Sequence, residues 1–163
     1  MDQPAKGKNQ DQPAAPAVPQ RSTREPGAFP IPDDWCFACG RDNPFGLHLS
    51  WKLEEDGTAA AHFHPDRRHQ GWSGLVHGGI LATLIDESMA QRLRFAGIRA
   101  LTASLSLRYR HPAPTSGVLI AEARLVGERL RAVQLEAWVR GADGTRYAEG
   151  EGTCVRMGPS PES

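Results

Sequence analysis

From Gly46 onward, apolar and polar positions alternate with period two. Leu47, Leu49, Trp51 and Leu53 share one side of the pattern, which predicts a strand with one buried face. Asp56-Gly57 is a hairpin turn signal, and Ala59, Ala61 and Phe63 resume the alternation beyond it. Pro65 to Gly74 reads as a loop by composition. The segment 80–95 then contains no Gly or Pro and is the longest apolar stretch in the chain, too long for an ordinary strand. It predicts a helix that starts at Gly78-Gly79. After Gly97 the period returns to two. Leu101, Ala103, Leu105, Leu107 and Tyr109 form one strand, residues 118–126 a second and 130–139 a third. The Asp143-Gly144 turn leads into a fourth over 147–155. A hairpin, one long helix and then a run of strands predict an α+β domain, with an antiparallel sheet packed on a single central helix.

The chain has 163 residues, enough for one domain with a core that needs no staples. Residues 1–30 hold no apolar run; Gln, Pro, Ala and scattered charges fill them, so a disordered tail is expected there and an ordered domain over 31–158. The tail has neither the apolar core of a signal peptide nor the apolar run of about 20 residues that a membrane span needs. Lys plus Arg and Asp plus Glu balance at 19 each, so no charge excess points to nucleic acid or an anionic membrane surface. The three cysteines are an odd count, which disfavours a disulfide framework and suits a reducing, cytoplasmic setting.

Candidate chemistry lies on the helix. Thr83, Glu87, Gln91 and Arg94 fall on one stripe and read as an ordinary polar face, with Glu87 solvated or paired to a neighbour. Asp86 lies elsewhere: its helical neighbours are Ala82, Met89, Ala90 and Leu93. A short carboxylate on an apolar face must be paired, be neutralised or meet a wet cleft, and Asp is also a poor helix-interior residue. Two explanations stand at this point: a working carboxylate, or an Asp bonded to a neighbouring loop or subunit.

Before the helix, Val76-His77-Gly78-Gly79 places two glycines at a helix N-terminus. There the unpaired N–H groups and the helix dipole attract negative charge, as an oxyanion formed in acyl transfer requires. A tight turn alone also accounts for the glycines. His77 is expected to shape the turn rather than to act as a base.

The run from Gly74 to Glu87, GLVHGGILATLIDE, resembles the His-Gly-Gly-x6-Asp signature of hotdog-fold thioesterases of the phenylacetic-acid-degradation type. Further pieces are similar too: His69-Gln70-Gly71, Tyr109 with His111-Pro112-Ala113-Pro114, and Cys36-x-x-Cys39-Gly40 followed by Asn43-Pro44-x-Gly46-Leu47. The resemblance implies a sheet wrapped around one long central helix and a homodimer or dimer of dimers with sites at the subunit interface. It also implies hydrolysis of acyl-CoA-type thioesters, with coenzyme A as part of the substrate and no separate cofactor. By the same resemblance Asp86 is the general base or nucleophile, the Gly78 amide polarises the thioester carbonyl with Gly79 beside it, and Thr102 assists from the other subunit. One departure stands out. Many relatives carry Asn or Gln six residues before the motif histidine, where this chain has Gly71, and a one-residue shift of the loop would give that role to Gln70. The departure keeps a second function open, that of a non-catalytic acyl-thioester binding or sensor protein.

Two weaker signals complete the picture. Arg108 and Arg110 alternate outward near a strand end, where they fit either the phosphates of coenzyme A or a solvated strand face. Cys36 and Cys39 have metal-like spacing. A structural zinc normally takes four ligands and no second such pair exists, so packing of a small cysteine pair and no metal are expected. No serine nucleophile elbow, phosphate-binding loop or dinucleotide fingerprint is present.

Overall fold

The computed structural model describes residues 34–158. The tail expected over 1–30, and the first residues of the expected domain, lie outside the described residues. The domain is built from strands β1 (Trp51–Leu53), β2 (Ala59–Phe63), β3 (Gln70–Trp72) and β4 (Leu75–Val76), helix α1 (Gly78–Phe95), and strands β5 (Ala100–Tyr109), β6 (Leu119–Arg129), β7 (Ala132–Gly141) and β8 (Arg146–Arg156). Six strands form one antiparallel sheet in the order β1-β2-β6-β7-β8-β5, and β3 pairs with β4 in a separate two-stranded ribbon. Helix α1 packs across the inner face of the large sheet, which is the α+β arrangement expected. No helix among the described residues is long and apolar enough to cross a membrane.

The core forms between α1 and the sheet. Leu84, Ile85 and Met89 from the helix are fully buried against Leu119, Val133, Leu135 and Val139. Each such side chain contributes about 1.5–3 kcal/mol relative to exposure. Small residues let the helix lie close. A Cβ at Gly152 would fall 2.5 Å from the Met89 sulfur, and one at Gly150 would fall 2.7 Å from a Leu107 methyl and 3.2 Å from one of Ile85. The inner face of β8 is therefore a groove that receives the helix.

Helix α1 begins two residues before the apolar run because His77 caps it: its Nδ1 accepts from the Gly79 N–H at 2.9 Å. It ends where Gly97 turns left-handed (φ +69°) and the Ile98 N–H returns to the Leu93 carbonyl at 2.9 Å.

Four expectations need correction. The strand expected over Leu47 to Leu53 shortens to Trp51–Leu53. Leu47 and Leu49 are buried, but their N–H groups bond the Phe37 and Ala38 carbonyls, with His48 left-handed between them (φ 51°), so the alternation reflects a loop pinned to the core. The segment 65–74 is not wholly loop. Asp66 caps a 3-10 turn over Arg67–His69, accepting from the Arg68 N–H at 2.8 Å while its own N–H donates to His69 Nδ1 at 3.0 Å, and β3 follows. Leu130 is not in a strand; it is 93% exposed with φ 55° at the β6–β7 turn. Its branched side chain carries no turn signal that composition could reveal. Finally, the polar stripe on α1 is not uniformly solvated, because Gln91 is only 3% exposed.

Candidate active site

Asp86 is half-buried at the margin of the helix's inner face: Met89 and Leu93 are buried, whereas Ala90 is exposed. Its Oδ1 accepts a hydrogen bond from Thr102 Oγ1 at 2.8 Å. A local defect in β5 makes this contact possible. Thr102 pairs with Cys154 and Ser104 with Thr153, so Ala103 is an extra residue in the ladder. The bulge shifts the inward positions of β5 from the odd-numbered Leu105, Leu107 and Tyr109 to Thr102, which shares a face with buried Cys154. A strict period-two reading places Thr102 on the outer face. The contact is made within one chain.

The turn before α1 presents one amide outward. The Gly79 N–H is taken by His77 Nδ1, so Gly79 is not a second donor. The Gly78 N–H has no acceptor among the described residues, at the positive end of the helix dipole. Tyr109, which sequence reasoning did not assign to the site, holds this peptide: its hydroxyl donates to the Gly78 carbonyl at 3.0 Å, and its ring would touch a Cβ at Gly78 at 3.4 Å. Trp72, Leu75, Gly78, Leu81, Tyr109 and Pro112 line a cleft of about 300 Å³ beside the amide.

Gly71 is filled by His77. A Cβ at Gly71 would lie 3.0 Å from the imidazole Cδ2, so the ring occupies the space that a larger residue there would need. The neighbouring Gln70 points into its own loop, where its Oε1 accepts from the Gly74 N–H at 3.4 Å.

Arg108 and Arg110 face away from α1, in a groove of about 430 Å³ with Arg146, Trp138, Glu149 and Glu151. Arg110 is committed to Glu149, whose carboxyl is held below the usual range chiefly by that hydrogen bond. Arg108 has no ion pair among the described residues. Arg110 also lines the cleft beside Gly78, so one residue borders both spaces.

Glu87 is paired to a helix neighbour, as one of the two expectations had it: its Oε1 accepts from Gln91 Nε2 at 2.7 Å. Its carboxylate and the thiols of Cys36 and Cys39 cluster with donor atoms all within 4.8 Å of one another. Burial, and then the charge of Glu87, push the Cys39 thiol strongly up.

Residues 73–145 match the family model described as the thioesterase superfamily. An acyl-coenzyme A thioesterase of Bos taurus, THEM4, is 32% identical over 129 residues, covering 78% of this chain and 53% of that protein. Its Mus musculus counterpart is 30% identical over 91 residues, covering 55% of this chain and 39% of that protein. The chain therefore spans at most about half the length of these curated relatives. Among solved structures, a thioesterase superfamily protein is similar with a TM-score of 0.72 at 27% identity, over 75% of this chain and 60% of that one. The phenylacetic acid degradation protein PaaI from Thermus thermophilus, as a point mutant, is similar with a TM-score of 0.61 at 26% identity, over 68% of this chain and 95% of that one.

Proposed function

We propose that the chain, matched over residues 73–145 by the thioesterase superfamily model, is a hotdog-fold thioesterase that hydrolyses acyl-CoA-type thioesters, with Asp86 as the working carboxylate. The observation that carries the proposal is the Asp86–Thr102 hydrogen bond, which holds a solvent-accessible carboxylate in one orientation on a rigid helix. Asp86 draws a proton from water as the water oxygen bonds to the thioester carbon. The carbonyl oxygen gains charge against the Gly78 N–H, and the proton passes to the departing thiolate of coenzyme A as the C–S bond breaks.

Gly78 and Asp86 are eight positions apart on one helix, about 12 Å along its axis. One carbonyl cannot touch both within a chain. We therefore propose a composite site in a homodimer, with the Gly78 amide of one protomer facing Asp86 and Thr102 of its partner. The ten-residue strand β5 supports this arrangement. It is an edge of the large sheet, and its Leu101 is 51% exposed. The same reading gives Arg108 the coenzyme A phosphates and the enzyme a cytoplasmic home.

Hydrolysis of a panel of acyl-CoA esters by the wild type and Asp86→Asn is the test. Turnover by the wild type that is lost in the variant is expected; equal turnover would end the reading. A second reading, a binding protein that does not hydrolyse, is favoured by one observation: Gln70 is turned into its own loop, which leaves the Gly71 position without an amide side chain. Calorimetry that detects acyl-CoA binding with no thiol release from any ester would establish it.

A further inference from the structure

We propose that Cys36, Cys39 and Glu87 form a binding site for one Zn²⁺ ion, which ties the loop over 34–49 to helix α1. The site is independent of the hydrolytic reading and lies on another side of the helix from Asp86, since adjacent helical positions point about 100° apart.

The loop is built to bring its two thiols together. The Gly40 N–H donates to the Cys36 carbonyl at 2.9 Å, closing the turn. A Cβ at Gly40 would lie 2.4 Å from the Cys36 nitrogen and 2.5 Å from the Asp34 oxygen, so only glycine closes it this tightly. Asn43 secures the next bend, donating from Nδ2 to the Trp35 carbonyl at 3.3 Å and accepting from the Phe45 N–H at 3.0 Å. Beyond it, Leu47 and Leu49 anchor the loop in the core. The third donor comes from a distant part of the chain, the first polar residue after Asp86 on α1.

The donor atoms sit within 4.8 Å of one another. Around a tetrahedral zinc with ordinary Zn–S and Zn–O bonds they would stand about 3.6–3.8 Å apart, a contraction of at most about 1 Å that rotamer adjustment supplies. Gln91, almost fully buried, already orients two of the donors: its Nε2 donates to Glu87 Oε1 at 2.7 Å and to Cys39 Sγ at 3.6 Å. Such an outer group, holding ligands in place, is a usual companion of metal donors. Two thiolates select a soft or borderline cation such as Zn²⁺ over Mg²⁺ or Ca²⁺, and three protein donors leave one position for water. A cation also resolves the crowding of a carboxylate against two thiols.

The test uses the full chain, reduced with a phosphine, stripped with chelator and dialysed, then titrated with Co²⁺ and Zn²⁺. Expected are one ion per chain, a thiolate-to-cobalt charge-transfer band with tetrahedral d–d absorption, and displacement of cobalt by zinc. Cys36→Ser and Cys39→Ser should abolish stoichiometric uptake, Glu87→Gln should weaken it at least about tenfold, and Cys154→Ser should leave it intact. Should the cysteine variants fail to fold, Glu87→Gln decides alone. Unchanged affinity in that variant would overturn the proposal. So would reduced wild type that takes up no stoichiometric ion.

Discussion

Thr102 Oγ1 donates to Asp86 Oδ1 across 2.8 Å, from a strand that reaches the helix carboxylate only because one extra residue, Ala103, flips its side-chain phase. The hydroxyl fixes one carboxylate oxygen and leaves the other free to meet water. Asp86→Asn keeps the shape of the side chain and removes its basicity, so kcat should fall by about 10²–10⁴ with little change in Tm. Thr102→Val should lower kcat by about tenfold, the worth of one such hydrogen bond, and Thr102→Ser should restore most of it. Steady-state kinetics over the acyl-CoA panel read both.

The Gly78 amide can be removed without altering the helix. Gly78 is the first helical residue, where proline is tolerated, and His77 before it has φ −62° and ψ 135°, a conformation that a following proline accepts. Gly78→Pro should therefore fold normally and lose about 10²–10³ in kcat. Thermal melting and initial rates on the same preparation check the two halves of this statement.

The proposed composite site has a distinctive signature in mixing experiments. Gly78→Pro and Asp86→Asn chains are each inactive alone. When unfolded and refolded together in equal amounts, they should recover about a quarter of wild-type activity, because half of the dimers then contain one intact site. A site complete within one chain would recover nothing.

Arg108 and Arg110 should separate on substitution. Arg108→Ala removes a guanidinium with no carboxylate partner, whereas Arg110→Ala removes one already neutralised by Glu149. Arg108→Ala should raise KM for acyl-CoA several-fold, by about 1 kcal/mol of charge-assisted binding, with kcat held and a smaller effect for Arg110→Ala. Equal effects would remove the distinction between them.

Stability should be most sensitive where the helix meets β8. Gly150→Ala places a methyl 2.8 Å from the Ser106 carbonyl oxygen and 2.7 Å from Leu107, so backbone must move. A cost of about 1–3 kcal/mol is expected from overpacking, measurable by urea denaturation. Gly57→Ala probes a different cause, since nothing lies within 4 Å of its Cβ position, and should cost only the strain of φ +81°.

The element order, the helix over the 80s and the antiparallel sheet were legible in the chain because they follow from periods of two and 3.6, which local sequence sets by itself. The place of Asp86 on the helix and the shaping of its first turn by His77 were legible from spacings along that one segment. Tertiary structure alone decided the rest. The bulge at Ala103 that turns Thr102 inward, the meeting of Glu87 with two cysteines from a remote loop, Tyr109 over the Gly78 peptide and the capture of Arg110 by Glu149 all join segments far apart in sequence. A strand's phase can change by one residue at no cost that its own composition reveals, and which side chains then touch is settled only when helix and sheet close on each other.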